Sequence, residues 1–346
     1  STLALETVHG GAENYVHVYP LEKSLLQVGE NILAVEIHQK DVSSSDLSFD
    51  LGISAYTAHE QSIISKKSDY LLNMDGDIAL IGVFSETGSC VIPELVDSEM
   101  TLSMDCSPYL ARGDVNITAS GFLNIEPGVE IWMPEGASIF VNGTVNAMGT
   151  EENPIVFKLN PDSQQGQWGI LSFRSTPRKS LLKWVIIEDA STGPDPVSER
   201  AAISAFYADL ELDHLNITKV HADPITARYS DITLTNSSLH SRVTGDLINV
   251  KYGKARIENC RFEGNEQIDT DAIDYDEVSG GIIRNVLITG FKGFNSDAID
   301  IGEKASEVFI DSIVVFNVTD KGVSLGQQST AIIQNSVFIN CNMGVG

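Results

Sequence analysis

The second half of this chain repeats itself, and the repeat limits what it can fold into. Seven segments share one template: an apolar residue, a polar residue, Asn or a substitute, then an apolar-rich triplet. They begin at Leu182, Leu212, Leu234, Ile257, Ile283, Ile310 and Ile333, at spacings of 30, 22, 23, 26, 27 and 23 residues. Strand-like units recurring at such a period indicate a solenoid. Helical periodicity is not sustained anywhere in this half. A unit of this length supplies three short strands and their turns, one coil of a right-handed parallel β-helix, with coils about 4.8 Å apart. The third template position is Asn at Asn236, Asn259, Asn285 and Asn335. This predicts an Asn ladder whose side-chain amides satisfy backbone groups at a recurring turn.

The stretch from Asn116 to Phe157 alternates apolar residues and breaks them with Pro127-Gly128 and Asn142-Gly143, which are strand-and-turn signals. It resembles the first coils of secreted bacterial β-helix repeat proteins, the pectate-lyase-like superfamily. The resemblance covers about two-thirds of the chain. It implies an all-β fold, a right-handed parallel β-helix over residues 108–346, and an extracellular or cell-surface setting. That scaffold hosts lyases, hydrolases, adhesins and inert spikes, so function has to be argued from residues.

Residues 1–58 read differently. Leu25 to His38 is a Gly-Glu-Asn turn followed by an alternating strand, and Ser43 to Leu51 is another. These lines resemble the closing strands of jelly-roll, galactose-binding-like modules, which implies a partial N-terminal β-sandwich. Residues 59–107 are expected to be a connecting region or small subdomain. Both ends of the chain are expected to continue into a longer protein, which allows assembly with further domains or into a filament.

The net charge of −26 over 346 residues, with a pI near 4.4, excludes nucleic acid and anionic membrane as expected partners. No apolar run reaches membrane-spanning length, so no membrane insertion is expected. Of four cysteines, Cys90 and Cys106 bracket a loop-like segment and could pair. Cys260 occupies an apolar template position and is expected to be buried and inert. Cys341 lies too many coils away to bridge to it. Five glycosylation sequons begin at Asn116, Asn142, Asn216, Asn236 and Asn317. Turn or strand chemistry is the expected role of these residues.

Three C-terminal segments carry the chemistry: Thr270 to Tyr275, Ser296 to Ile301 and Asp320 to Leu325. Aligned on Ala272, Ala298 and Gly322, they place Asp271, Asp297 and Lys321 in one column and Asp274, Asp300 and Ser324 in a second. Asp223 and Asp246 extend the first column, and Glu277 and Glu303 flank the second. Strand alternation predicts Ile273, Tyr275, Ile299 and Ile301 inward. It predicts Asp274, Asp276 and Asp300 outward, together with the small residues Ala272, Ala298 and Gly322, which would leave room for a ligand. A spacing of three puts Asp297 and Asp300 on one face only if the chain bends at the strand entrance. Stacked carboxylates repel and raise one another's pKa unless a cation intervenes. Calcium, a hard oxygen-seeking ion, is the expected cofactor, with Asp271, Asp274, Asp297 and Asp300 as candidate ligands.

The Asp271, Asp297 and Asp300 arrangement resembles the calcium site of β-helix pectate lyases that use a single lysine base. The resemblance implies calcium-dependent β-elimination of a polyuronate, with Lys321 as base. Two departures stand out. Lys321 comes only one coil after the acids, and the doubled Asp of that family is here Ser296-Asp297. A lysine among carboxylates also has a raised pKa, which disfavours a base. The segments are similar, more distantly, to the Asn-Thr-Asp-Gly and Asp-Asp series of polygalacturonases. Asn295 to Ala298 is close to the first, but the coil that should carry Gly-His-Gly reads Asp320-Lys321-Gly322. That alternative is a glycoside hydrolase using two of these carboxyls; across the readings Lys321 and Asp300 are the candidate catalytic residues. A third, non-catalytic reading is a surface or filament component with a glycan-binding or spacer β-helix. In it Asp caps turns and Lys321 neutralises a ladder of acids. Aromatic platforms for sugar stacking are not evident. A polysaccharide or cell-surface glycan is the expected partner.

Overall fold

The computed structural model describes residues 90–163 and 166–346 in full, and before Cys90 it describes six strands by their backbone. The chain divides into two units, Ser1–Ser89 and Cys90–Gly346. In the first, Asp50–Thr57 pairs antiparallel with both Glu60–Ser65 and Ala79–Ser85, and His17–Pro20 pairs with the far side of Ala79–Ser85. Gly29–Ile32 and Leu71–Met74 form a separate antiparallel pair. The jelly-roll reading of residues 1–58 rests mostly on residues outside those described. The pairings that are described cross the boundary expected at residue 58.

From Cys90 onward every strand belongs to one parallel ladder of 28 strands, a β-solenoid of about ten coils. Most coils contribute three strands, for example Ile273–Asp276, Gly281–Arg284 and Leu287–Thr289, and in some two of them run on as one, as in Ser180–Glu188 and Leu210–Val220. The solenoid starts earlier than residue 108. Cys90–Val91, Leu95–Val96 and Glu99–Leu102 pair in parallel with Tyr109–Leu110, Val115–Ile117 and Phe122–Ile125. Two of these strands are only two residues long, too short for alternation to register in a sequence, and the connecting region expected over 59–107 therefore ends at the first coil. A disulfide joins Cys90 to Cys106 across that coil, with Cα atoms 5.4 Å apart. Cys260 is buried and Cys341 is half-buried, both as free thiols. Desolvation pushes the Cys260 thiol up to about 12, in keeping with an inert role.

The template repeat sets the register. Leu182, Leu212, Leu234, Ile257, Ile283, Ile310 and Ile333 lie directly over one another. Apolar columns of this kind fill the interior, and Phe157, Phe173, Phe262, Tyr275 and Phe291 are almost wholly inaccessible to solvent. Each fully buried aliphatic or aromatic side chain contributes about 1.5–3 kcal/mol relative to exposure.

The third template position is a left-handed corner in every coil. Trp184, His214, Asn236, Asn259, Asn285, Ser312 and Asn335 all have φ between 49° and 57°. Asn tolerates this conformation because its short side chain can bond locally. The amides do not satisfy backbone groups as expected. Asn236 donates to Asp213 (2.7 Å), Asn259 to Asn236 (3.2 Å) and Asn285 to Asn259 (2.8 Å), a chain of side-chain bonds along the solenoid axis. A ring stack continues the column at its N-terminal end, Trp184 on His214 with centroids 3.9 Å apart.

Candidate functional site

One sheet runs through Leu171–Arg174, Ala201–Phe206, Asp223–Arg228, Ile248–Lys251, Ile273–Asp276 and Ile299–Ile301 to the end of Val314–Leu325. Ile273 pairs with Ile299 and Ile299 with Val323, so Asp274, Asp300 and Ser324 form an unbroken second column. The first column precedes the strands. In each coil two inward residues in succession separate the columns: Leu247-Ile248, Ala272-Ile273 and Ala298-Ile299, all without solvent exposure. Two consecutive inward residues mean that the chain turns there, which is the bend that a spacing of three requires. Asn249 donates 2.9 Å to Asp246 three residues earlier, and also to Asp274 in the next coil. The two columns therefore meet on one surface.

The same bend overturns one expectation. Ala272, Ala298 and Gly322 face the interior, not the ligand side. Both alanines lie in the hydrophobic core, and a Cβ added to Gly322 would run into the Phe338 ring. Their small size fits the crowded inner corner and opens no space outside.

The first column is also a backbone device. Asp271 accepts the Asp297 N–H (2.6 Å), and Asp297 accepts the Lys321 N–H (2.7 Å). Asp246 accepts the Asp271 N–H at 3.4 Å. In each case one carboxylate oxygen ties the entrance of the following coil, while the second oxygen of Asp246 accepts from Asn249 and that of Asp297 faces Lys321 at 3.5 Å. At the N-terminal end Asp223, 5% exposed, packs against Gly245, whose φ of 130° admits the carboxylate where a side chain would collide. Arg200 reaches it at 3.3 Å. Residues 195–199 lie over the same sheet. The Glu199 carboxylate accepts a bond from Ser172 (3.1 Å), and Arg174 pairs with Asp195 (3.1 Å) and Glu199 (3.3 Å).

Crowding leaves these acids hard to ionise. Desolvation, then the charge of Asp246, raises Asp223 to about 7 and Asp271 to about 8. Desolvation with Asp246 and Asp276 raises Asp274 to about 9. Asp300 rises to about 6, from desolvation and Asp297, partly offset by its bond with Ser324. Asp246 and Asp297 are raised as well. Lys321 goes the same way. Its Nζ lies 2.7 Å from Asp320 and 3.5 Å from Asp297, and the bond to Asp320 holds its pKa above the usual lysine value. As placed, Lys321 is a protonated cation.

The donor set consists of carboxylate oxygens, the kind a hard divalent ion takes. Among the described residues, however, no three His, Cys, Asp or Glu side chains converge to hold one ion. Calcium binding at Asp271, Asp274, Asp297 and Asp300 therefore requires these side chains to turn toward a common point.

An aromatic column went unrecognised in the sequence. Tyr207, Tyr229 and Tyr252 follow the strands ending at Phe206, Arg228 and Lys251, all at left-handed corners with φ of 51°, 52° and 61°. Their rings stack with centroids 4.7 and 4.6 Å apart. The signal was their spacing of 22 and 23 residues, matching the coil period. Beyond this column lies a cleft of about 500 Å³ lined by Asn116, Phe140, Asn142, Arg174, Ser175 and Phe206.

A family comparison agrees with the solenoid. Residues 202–346 match the family described as the right handed beta helix region. A stretch of 61 residues is 39% identical to Protein bark beetle of Drosophila melanogaster, 18% of this chain and 2% of the length of that protein. Two solved structures are similar at low identity. The alginate lyase from Paenibacillus sp. str. FPU-7 shares 12% identity at a TM-score of 0.23, over 63% of this chain and 93% of that one. The Agl-KA catalytic domain shares 10% at a TM-score of 0.28, over 86% and 83%.

Proposed function

We propose that this right-handed parallel β-helix is a carbohydrate-active protein that cleaves an acidic polysaccharide by β-elimination at the Asp271, Asp274, Asp297 and Asp300 face. One observation carries the reading: adjacent columns on one sheet bring Asp271, Asp274, Asp297 and Asp300 together, desolvated and crowded to different degrees, so that all are raised but Asp300 less than Asp271 and Asp274. Separated pKa values are how a site assigns an acid and a base from one residue type. Asp300, near 6, is ionised at neutral pH and suits the base. Asp274, near 9, and Asp271, near 8, keep their protons there and suit the acid.

In this scheme Asp300 takes the proton α to the uronate carboxylate. The new double bond forms as the bond to the glycosidic oxygen breaks, and Asp274 protonates that oxygen. Lys321, held protonated by Asp320 and Asp297, is a poor base and acts as the cation facing the charge that builds on the uronate. Calcium held by Asp271, Asp274, Asp297 and Asp300 would be the alternative arrangement: it would need those carboxyls ionised, and would neutralise the uronate carboxylate in place of the protons that Asp271 and Asp274 otherwise keep.

The test is incubation of the full chain with polygalacturonate and with alginate, with and without chelator, following ultraviolet absorbance of the unsaturated product. Product formation that falls at least ~100-fold in Asp300→Asn is expected. No absorbance from either polymer overturns elimination. New reducing ends without absorbance would assign hydrolysis instead. The bonds from Asp271 and Asp297 to the following coil also support a second, non-catalytic reading, in which the acids close a glycan-binding or spacer solenoid. Binding with neither product nor new ends selects it.

A further inference from the structure

Arg228 stands apart from the other cations of the solenoid. Among the described residues, Arg112, Arg178, Arg242 and Lys254 also have no acid partner, but all four are exposed. Arg228 is half-buried on the site sheet, and its Nε is sealed from solvent without a hydrogen-bond partner. In a chain of net charge −26 an unpaired, partly desolvated guanidinium is unexpected. Its neighbour in register, Lys251, is already committed to Asp276.

The surroundings of Arg228 are equally unusual. The guanidinium lies over the Tyr252 ring, 5.7 Å from its centroid. Phe206 is its register partner on the preceding strand and meets Tyr229 edge-on at 6.0 Å. Tyr229 and Tyr252 hold left-handed backbone, the conformation that corner residues as different as Trp184, Asn236 and Glu277 also take in this solenoid, and it sets their rings side by side. Here the Tyr252 ring covers one face of the guanidinium, and the half-buried side chain keeps part of its surface in contact with solvent.

We propose that Arg228, seated on Tyr252 beside Phe206 and Tyr229, binds the carboxylate of an acidic sugar unit lying two coils before Asp276. A guanidinium fork matches a planar carboxylate with two parallel hydrogen bonds. The flanking ring edges cover the apolar side of the sugar. Two coils correspond to roughly 10 Å along the sheet, so one short stretch of glycan reaches both Arg228 and the acids. The subsite rests on the reading of the ligand as an acidic glycan, but not on cleavage.

The experiment is affinity electrophoresis in chelator, with Asp300→Asn as background so that nothing is consumed, against polygalacturonate, a sulfated galactan and a neutral galactan. Retardation by polygalacturonate that Arg228→Gln weakens at least ~10-fold is expected, with Arg228→Lys intermediate because it keeps charge but loses the fork. Unchanged retardation in Arg228→Gln overturns the subsite. So does retention by the neutral or the sulfated polymer equal to that by polygalacturonate. A melting temperature matching the parent separates lost binding from lost folding. Missing unsaturated product refutes elimination without touching this result, and missing retardation refutes the subsite even where product forms.

Discussion

Asn259 has φ of 55° and both ends of its amide in use, donating to Asn236 and accepting from Asn285. A β-branched residue there would lose the ladder bonds and force a bulky side chain into left-handed backbone, at about 1–2 kcal/mol for the conformation alone. Asn259→Val is therefore expected to destabilise the solenoid by about 2–3 kcal/mol, and Asn259→Gly by less, since glycine accepts that φ freely. Urea titration of the two variants checks the order. The column was legible in the sequence because Asn recurs at a fixed template position. The tyrosine column was not, because aromatic residues carry no expectation of left-handed backbone, and only the coil period ties Tyr207, Tyr229 and Tyr252 together. Ala272 was misplaced for a related reason. Strict alternation assumes a straight strand, and the corner at Ala272-Ile273 puts two successive residues inside.

At the scale of the strand, the acid columns make stability depend on pH. Asp223, Asp271, Asp274 and Asp300 have folded values between about 6 and about 9, above their ordinary 3.8. A carboxyl raised on folding binds its proton more tightly in the native state. Its contribution is complete below the unfolded pKa and is lost as pH rises through the folded one. Asp213 lies lower, at about 2, because bonds from Asn236, Thr235 and His214 outweigh its desolvation, so it stays ionised throughout this range. The melting temperature in chelator is therefore expected to fall by several degrees between about pH 5 and about pH 9, at 2–4 °C per kcal/mol. Millimolar calcium at the upper end is expected to restore it if the ion binds the native acids. A flat profile, or one that rises with pH, contradicts the assigned shifts. The columns themselves were legible because Asp271, Asp297 and Lys321 keep the coil period. The corner that brings the second column beside them is a backbone feature that residue identities do not announce.

Across the whole molecule, each coil touches mainly the coils before and after it, so stability approximates a sum of nearest-neighbour terms. Phe262 is wholly buried near the middle of the ladder. Phe262→Ala is expected to cost about 3–5 kcal/mol and to lower hydrogen-exchange protection chiefly in the flanking coils. Loss spread evenly from Cys90 to Gly346 would show a more cooperative unit than this architecture implies. The fold class was readable from the period alone. Where the solenoid starts was not, because the short strands of the first coil carry too few residues to show a pattern. The bonds running from Asp271 to the Asp297 amide and from Asp297 to the Lys321 amide have a last implication. The side chains offered to a ligand are also the rivets between storeys of the tower, so changing either aspartate loosens architecture and reactivity together, and any loss of turnover there has to be read alongside a melting curve.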